Sequence, residues 1–421
     1  MCSPSPGFSI ALRDNTGEIK QTDMSNYIKT GLILTMQAFK DELRAIFKDT
    51  GALLILFLAL IIYPVIYGIA YKKEVLRELP VAVVDLDRTS SGRLLMRMID
   101  ATEEMHVVSR PASMAEAEQL FYRSEVNGVI LIPSGFERSL MKGEQATVSI
   151  YSDAGYFLMY KQTLSGTMQS AGFFGAGVEI KRYMAKGYTP EQAFVMRDPV
   201  SLKAVTLYNP SGGYNTFIMP GLLIVLVQQT LLIGIGLLGG TGKEQGRAKF
   251  AVPRSLKPGG VVPVVAGKAG AYFALYTVNI IITQVWVYHW FNLPHLTHLT
   301  PALALAVPFL LAVIFLGLAL STLFARREHS ILFVVFLSPI VLFLTGLSWP
   351  TAAIPSWLNA MAHILPTTVM VPAWLRVRTM GAELRHIEGD VVFLIVQAVI
   401  YFALAVAFYY RASRKNRMDS K

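Results

Sequence analysis

Gly51 to Tyr71 reads GALLILFLALIIYPVIYGIAY, a run without a single charge. A bilayer's hydrocarbon core takes about 20 apolar residues of helix to cross, so this run alone places the chain at a membrane. Five further stretches meet the same need: Thr216 to Leu238, Gly270 to Phe291, Pro301 to Ala325, Ile331 to Pro350 and Val391 to Tyr410. A block running from Lys72 to Tyr214 separates the first from the second. The expected fold class is a multi-pass α-helical membrane protein, with six transmembrane helices and an α/β extracytoplasmic domain.

Composition agrees. Of 421 residues, 53% are apolar and 16% charged, and the mean hydropathy of +0.46 is high for a soluble chain. The net charge of +10 is confined to one side. With the N-terminus inside, Lys72 to Tyr214 carries 16 basic and 16 acidic residues, and Thr351 to Asp390 carries 3 of each. The excess lies in Thr241 to Ala269, 6 against 1, and in the tail Arg411 to Lys421, 5 against 1. Lys and Arg are retained on the cytoplasmic side of membranes, which puts both termini in the cytoplasm. The basic balance therefore reports topology and not nucleic acid, for which a basic soluble domain is missing.

A lone Cys2 excludes a disulfide framework and a multi-cysteine metal site. The first apolar run starts too far along the chain for a cleavable signal peptide, and reads as a signal anchor. Residues 1–23 show no sustained periodicity and are expected to be a disordered extension, with Met24 an alternative start. Over residues 24–50, Met36, Phe39, Leu43, Ile46 and Phe47 recur at helical spacing, giving a helix that lies in the membrane interface or on a partner.

In the outside block, runs at Val81 to Val84, Val107 to Val108, Gly128 to Ile132 and Thr147 to Tyr151 alternate with helical stretches at Gly92 to Asp100, Met114 to Arg123 and Ser134 to Met141. That order favours a small α/β layer structure. A long helix is expected over Tyr156 to Lys186, then an extended return over Val200 to Leu207. Ile354 to Ile364 and Met370 to Gly381 are too short to span, and read as a re-entrant hairpin within Thr351 to Asp390, tolerable only where protein covers its backbone.

Several motifs have plain readings. Gly239-Gly240-Thr241-Gly242-Lys243 falls short of a phosphate loop, which needs Gly at Leu237 and Ser or Thr at Glu244; glycines ending the second helix are expected instead. Asp85-Leu86-Asp87 fails the calcium-loop pattern at Thr89 and Ser90, and reads as a strand end with Ser90 or Ser91 capping the next helix. His289, His295 and His298 match no zinc spacing. The apolar runs hold no Asp, Glu, Lys or Arg, which ion-coupled carriers need near the midplane. Their polar residues, Gln228, Gln229, Asn279, Gln284, Ser338 and Gln397, bond between helices or line a translocation path.

Tyr208-Asn209-Pro210 followed by Phe217-Ile218-Met219-Pro220-Gly221 resembles the Y-N-P…F-x-x-P-G entry to the second span of ABC-2-type exporter permeases. Leu79 to Asp87 is similar to the start of that family's outside domain, and Gly128 to Phe136 to its G-x-x-x-I-P-x-x-F step. Gly346 to Thr368, with Pro350, Pro355 and Leu365-Pro366, resembles its outer hairpin; Arg376 and Gly381 continue it. Glu42 and Arg44 match its charged helix before the first span. The first cytoplasmic loop departs from R-E-x-E-x-G-T-x-E, with Arg247 for Thr and Lys249 for Glu.

The resemblance implies half of an ATP-driven exporter in a bacterial inner membrane, completed by a second permease copy or paralogue. It implies two ATP-binding cassette subunits that hold ATP and Mg, none of it in this chain. Glu244, Gly246, Arg247 and Lys268 become the coupling residues, and in Gram-negative relatives a periplasmic adaptor is the outer partner. The alternatives are a membrane-anchored receptor or assembly factor working through its outside domain, and an ion-coupled secondary carrier.

Overall fold

A computed structural model describes residues 9–13, 19–245 and 260–418, with side chains over 28–245 and 260–414. Gly246, Arg247 and Lys249 lie outside the described residues. The chain divides into two units, one of Met1–Lys72 with Tyr208–Lys421 and one of Lys73–Leu207. Where an unstructured extension is expected, Ser9–Arg13 (β1) pairs antiparallel with Ile19–Asp23 (β2). Five-residue strands are too short for a periodicity reading, but Asp14, Asn15 and Gly17 between them are turn-forming types.

In the helical unit, six helices among the described residues are long and apolar enough to cross a membrane. They are Thr50–Ala70, Tyr214–Glu244, Val261–Trp290, Leu299–Ser321, Arg327–Leu344 and Glu388–Arg414, the first to sixth spans below. The second is the axis of the bundle: 89% of its apolar window is buried, against 17% for the fifth and 28% for the sixth.

Its glycines explain that burial and correct an expectation. The helix runs through Gly239, Gly240 and Gly242 to Glu244, so these residues do not end it. They let neighbours approach, as small residues do between membrane helices. A Cβ on Gly240 would lie 2.6 Å from the Arg327 nitrogen, and one on Gly239 2.8 Å from the Ser321 Cβ. Gly234 receives Leu56 and Gly236 receives Ser330 in the same way.

The third helix begins at Val261, well before the apolar run suggests. Pro263 is tolerated in a first helical turn, where no intrahelical N–H bond is lost, and Lys268 is carried inside the helix because it has a partner. Helix Met24–Lys48 packs along this span. Gly267 makes the contact possible, since a Cβ there would collide with the Thr35 carbonyl. Glu42 and Ile46 are buried on the inner face, while Ile28, Leu32, Ile33, Met36 and Phe47 stay exposed.

Between the fifth and sixth spans, a short arm Ser356–Ala362 and a long arm Pro366–Met380 form the hairpin. The long arm is mostly buried, with Val369, Met370, Val371, Trp374 and Val377 in the core of the bundle.

In the second unit, Leu79–Asp85 (β3), Met105–Ser109 (β4), Gly128–Ile132 (β5) and Ser149–Ser152 (β6) form one sheet in the order β4-β3-β5-β6. β3 pairs in parallel with β4 and β5, and β6 pairs antiparallel with β5. Val81 and Val83 face one core with Leu95, Ile99 and Phe174; Ala82 and Val84 face another with Ala117 and Val129. Burial on both faces is why β3 reads as a continuous apolar run. The long helix is Phe157–Ala185. Thr189 and Gln192 form a capping box on an additional helix, Pro190–Arg197, and residues 200–207 form no strand.

Two motifs of this unit lock together. Thr89, not Ser90 or Ser91, caps helix Ser90–Asp100. The serines instead donate to the Glu137 carboxylate, at 2.6 and 2.8 Å. Asp87 reciprocates by accepting from the Gly135 and Glu137 N–H groups at 2.8 and 3.0 Å. Burial pushes the Asp87 carboxyl up, but the Thr89 hydroxyl and those N–H groups outweigh it and hold it below its usual range. The Ser90 and Ser91 hydroxyls lower Glu137 likewise.

A carboxylate depressed in the folded state stabilises it in full above its unfolded value, and loses that contribution as pH falls through the folded value. Residues 73–207 are therefore expected to lose stability below the ordinary carboxylate range, with Asp87→Asn flattening that acid limb in circular-dichroism melts. Asp87→Ala removes the bonds to Gly135 and Glu137 and is expected to cost about 1 kcal/mol, a fall of roughly 4 °C in Tm.

Candidate functional site

Charged side chains gather at one end of the helical unit. Glu42, on the helix before the first span, is 7% exposed. It pairs with Lys268 of the third span and accepts 2.7 Å from the Tyr272 hydroxyl. Ile235, Leu238 and Gly239 of the second span, Leu318 and Ser321 of the fourth and Tyr409 of the sixth line the same small space. One ion pair thus sits where most of the bundle converges. A buried pair is costly to form and costlier to half-remove, so the helix before the first span cannot leave the third without exposing or stranding a charge.

A second set of contacts lies beside it. Glu244, at the end of the second span, accepts 3.0 Å from the Arg327 N–H, which starts the fifth span. A carboxylate there satisfies an orphan amide and complements the helix dipole. Asp49 caps the first span through the Ala52 N–H at 3.1 Å and meets the Arg327 guanidinium at 3.5 Å. Lys243 donates to the Thr322 carbonyl. The first, second and fifth spans are therefore tied at the end where the chain enters residues 246–259. Of the expected coupling residues, Glu244 and Lys268 lie in this region, each holding a different pair of elements; Gly246 and Arg247 are outside the described residues.

The hairpin tip is the second focus. Gln228, midway along the second span, accepts 3.1 Å from the Thr367 N–H. Gln397 of the sixth span donates 2.5 Å to the His363 carbonyl, and the Tyr401 hydroxyl donates to the Ile364 carbonyl. Pro366 opens the long arm at its first helical turn. Pro350 leads into the 3-10 turn Thr351–Ala353.

At the entry to the second span, the Asn209 side chain closes a loop by bonding both the Gly213 carbonyl and N–H, at 2.9 and 3.0 Å, with Pro210 inside it. Pro220 lies within the span. Beside it Gly221 admits Leu347 and Val371; an added Cβ would come within 2.6 Å of Leu347.

Of the candidate path residues, Gln228, Gln397 and Asn279 have separate partners. Gln228 and Gln397 hold the hairpin. Asn279 donates 2.8 Å to the Leu56 carbonyl, inside a π-helical turn, Leu54–Leu58, of the first span. Gln229 and Gln284 are buried with amide atoms that have no partner among the described residues. Gln284 lies in a second π-helical turn, Ile282–Trp286, whose carbonyl at Gln284 accepts from Arg378 of the long arm. Arg378 and the Glu42–Lys268 pair are the charges that a reading by apolar runs misses. The first hides in a segment too short to span, and the second joins residues far apart in sequence.

A family model described as ABC-2 family transporter protein matches residues 51–407, most of the chain. No curated protein sequence matches it significantly. Lys268→Met should strand the Glu42 carboxylate and lower stability by about 3–5 kcal/mol. The Glu42→Gln/Lys268→Met double variant should recover most of that, read as melting temperatures of the purified protein in detergent. A single variant that melts with the wild type contradicts the burial of the pair.

Proposed function

This chain belongs to the ABC-2 transporter family, and on that premise we propose that it is the transmembrane subunit of an ATP-driven exporter, moving its cargo out of the cytoplasm or the inner membrane. The observation that carries this reading is the tie among Glu42, Lys268, Glu244, Arg327 and Asp49. A load applied to residues 246–259 reaches the second and third spans directly and the first and fifth through these bonds. The basic excess of Thr241 to Ala269 and of the tail assigns that end to the cytoplasm, and with it both termini.

Fuel comes from a separate molecule, because the chain's glycine cluster departs from a phosphate loop. ATP and Mg bind to ATP-binding cassette subunits that dock on the coupling loop around Glu244, Gly246 and Arg247. Their closure draws the helix before the first span and the second span together. The hairpin, held by Gln228 and Gln397, gates the opposite side. A second permease copy or paralogue covers part of the exposed apolar faces of the first, fifth and sixth spans, and lipid covers the rest. The Lys73–Leu207 unit works outside, where a periplasmic adaptor is its partner by analogy.

The test is reconstitution. The purified chain should hydrolyse no ATP alone, and should transport only with an ATP-binding subunit that co-purifies with it. Glu244→Ala should lower transport while that subunit's basal hydrolysis persists. Transport by this polypeptide alone, driven by a proton gradient, contradicts the proposal.

A further inference from the structure

At the end of the third span opposite Lys268, a half-open cavity of about 640 Å³ is lined by Gln284, Trp286, Tyr288, Trp290, His295 and Arg378. We propose that it binds an amphiphile with one anionic phosphate or carboxylate headgroup, seated on Arg378 and Gln284 with its apolar tail leaving between Trp286 and Trp290. The proposal does not rest on the exporter reading.

Arg378 is 8% exposed. Its guanidinium lies 3.8 Å above the Tyr288 ring, donates to the Thr297 hydroxyl at 3.1 Å and bonds the Gln284 carbonyl. Its Nε has no partner among the described residues. Neighbouring arginines on the same hairpin have counter-charges: Arg376 meets Asp390 at 2.7 Å and Arg385 meets Glu383 at 3.0 Å. Among the described residues no carboxylate pairs with Arg378, although it is the most deeply placed of the three. A desolvated cation held only by neutral oxygens and a ring face retains an uncompensated charge, and its planar fork suits a phosphate or carboxylate.

Gln284 is the second, independent sign. It is 4% exposed, and both its amide oxygen and nitrogen lack a partner among the described residues. Buried amides are normally satisfied, and this one lines the cavity beside the cation. Its NH₂ supplies the donor that a headgroup oxygen needs.

The walls grade from charge to hydrocarbon. Trp286 and Trp290 are about half exposed, as amphipathic rings are at a membrane boundary. The volume lies in the range of small-ligand sites, enough for a headgroup and its first methylenes. A metal on His289 and His295 is the competing occupant, but no group of three His, Cys, Asp or Glu side chains comes together among the described residues, and Arg378 repels a cation.

The source of the amphiphile, surrounding lipid or a soluble molecule, is separated by two arms on the full chain carrying Trp349→Phe and Trp357→Phe, so that emission reports Trp286, Trp290 and Trp374. In nanodiscs, brominated phosphatidylglycerol should quench by roughly twofold or more over equal brominated phosphatidylcholine. In lipid-free detergent, decyl phosphate should shift the emission saturably while inorganic phosphate does not. Either response supports the site, the first naming lipid and the second a soluble source. Arg378→Gln should abolish the response, and Gln284→Leu, which keeps the cation, should weaken it. Equal quenching by both lipids with no response to decyl phosphate overturns the proposal, as does a response unchanged in both variants.

Discussion

No water enters the hydrocarbon layer to satisfy a backbone N–H or C=O, so every irregular turn at membrane depth needs a partner from the protein. Among the described residues, helical regularity breaks within the bundle at the hairpin tip and at two π-helical turns. At each place a side chain from another helix supplies a bond. Gln228, Gln397 and Tyr401 hold the tip; Asn279 holds the turn at Leu56 and Arg378 the turn at Gln284. Gln228, Asn279 and Gln397 are therefore scaffolding first. A π-turn frees backbone groups from the helical ladder, and the energy needed to leave them bare favours the cross-helix bond.

The opposite end of the bundle follows another rule. There the chain places charges where they pair, so that helices meet through Glu42–Lys268 and Asp49–Arg327, with glycines at 239, 240 and 267 permitting backbone contact. Ion pairs that tie helix ends are stiff against separation and tolerant of tilting. On the proposed exporter reading, that suits a part which transmits motion from a docked subunit.

Much of this architecture was legible in the sequence. The six apolar runs announce the spans, because a membrane imposes length and composition together. The alternation of β-branched runs with helical stretches announces the α/β layer structure of the Lys73–Leu207 unit. What stayed hidden was pairing. Lys268 reads as a loop residue because hydropathy ends the helix at a charge, whereas a partner 226 residues away in sequence, Glu42, carries it inside. Arg378 escapes notice because its segment is too short to span. The glycines at 239 and 240 read as a helix end because Gly is a frequent C-cap, and only the positions of Ser321, Arg326 and Arg327 reveal a close approach instead. The link between Asp87 and Glu137 was equally unreadable, although both motifs stood out separately.

If Gln228 and Gln397 hold the hairpin tip, it is a fixed element whose release is a discrete event, as the proposed gate requires. Hydrogen exchange of the His363–Thr368 segment in nanodiscs tests this most directly. The account predicts slow exchange in the wild type and a marked acceleration at Thr367 and Thr368 in Gln228→Leu, with the amides of the fourth span unchanged. Equal exchange at the tip in the two proteins contradicts it.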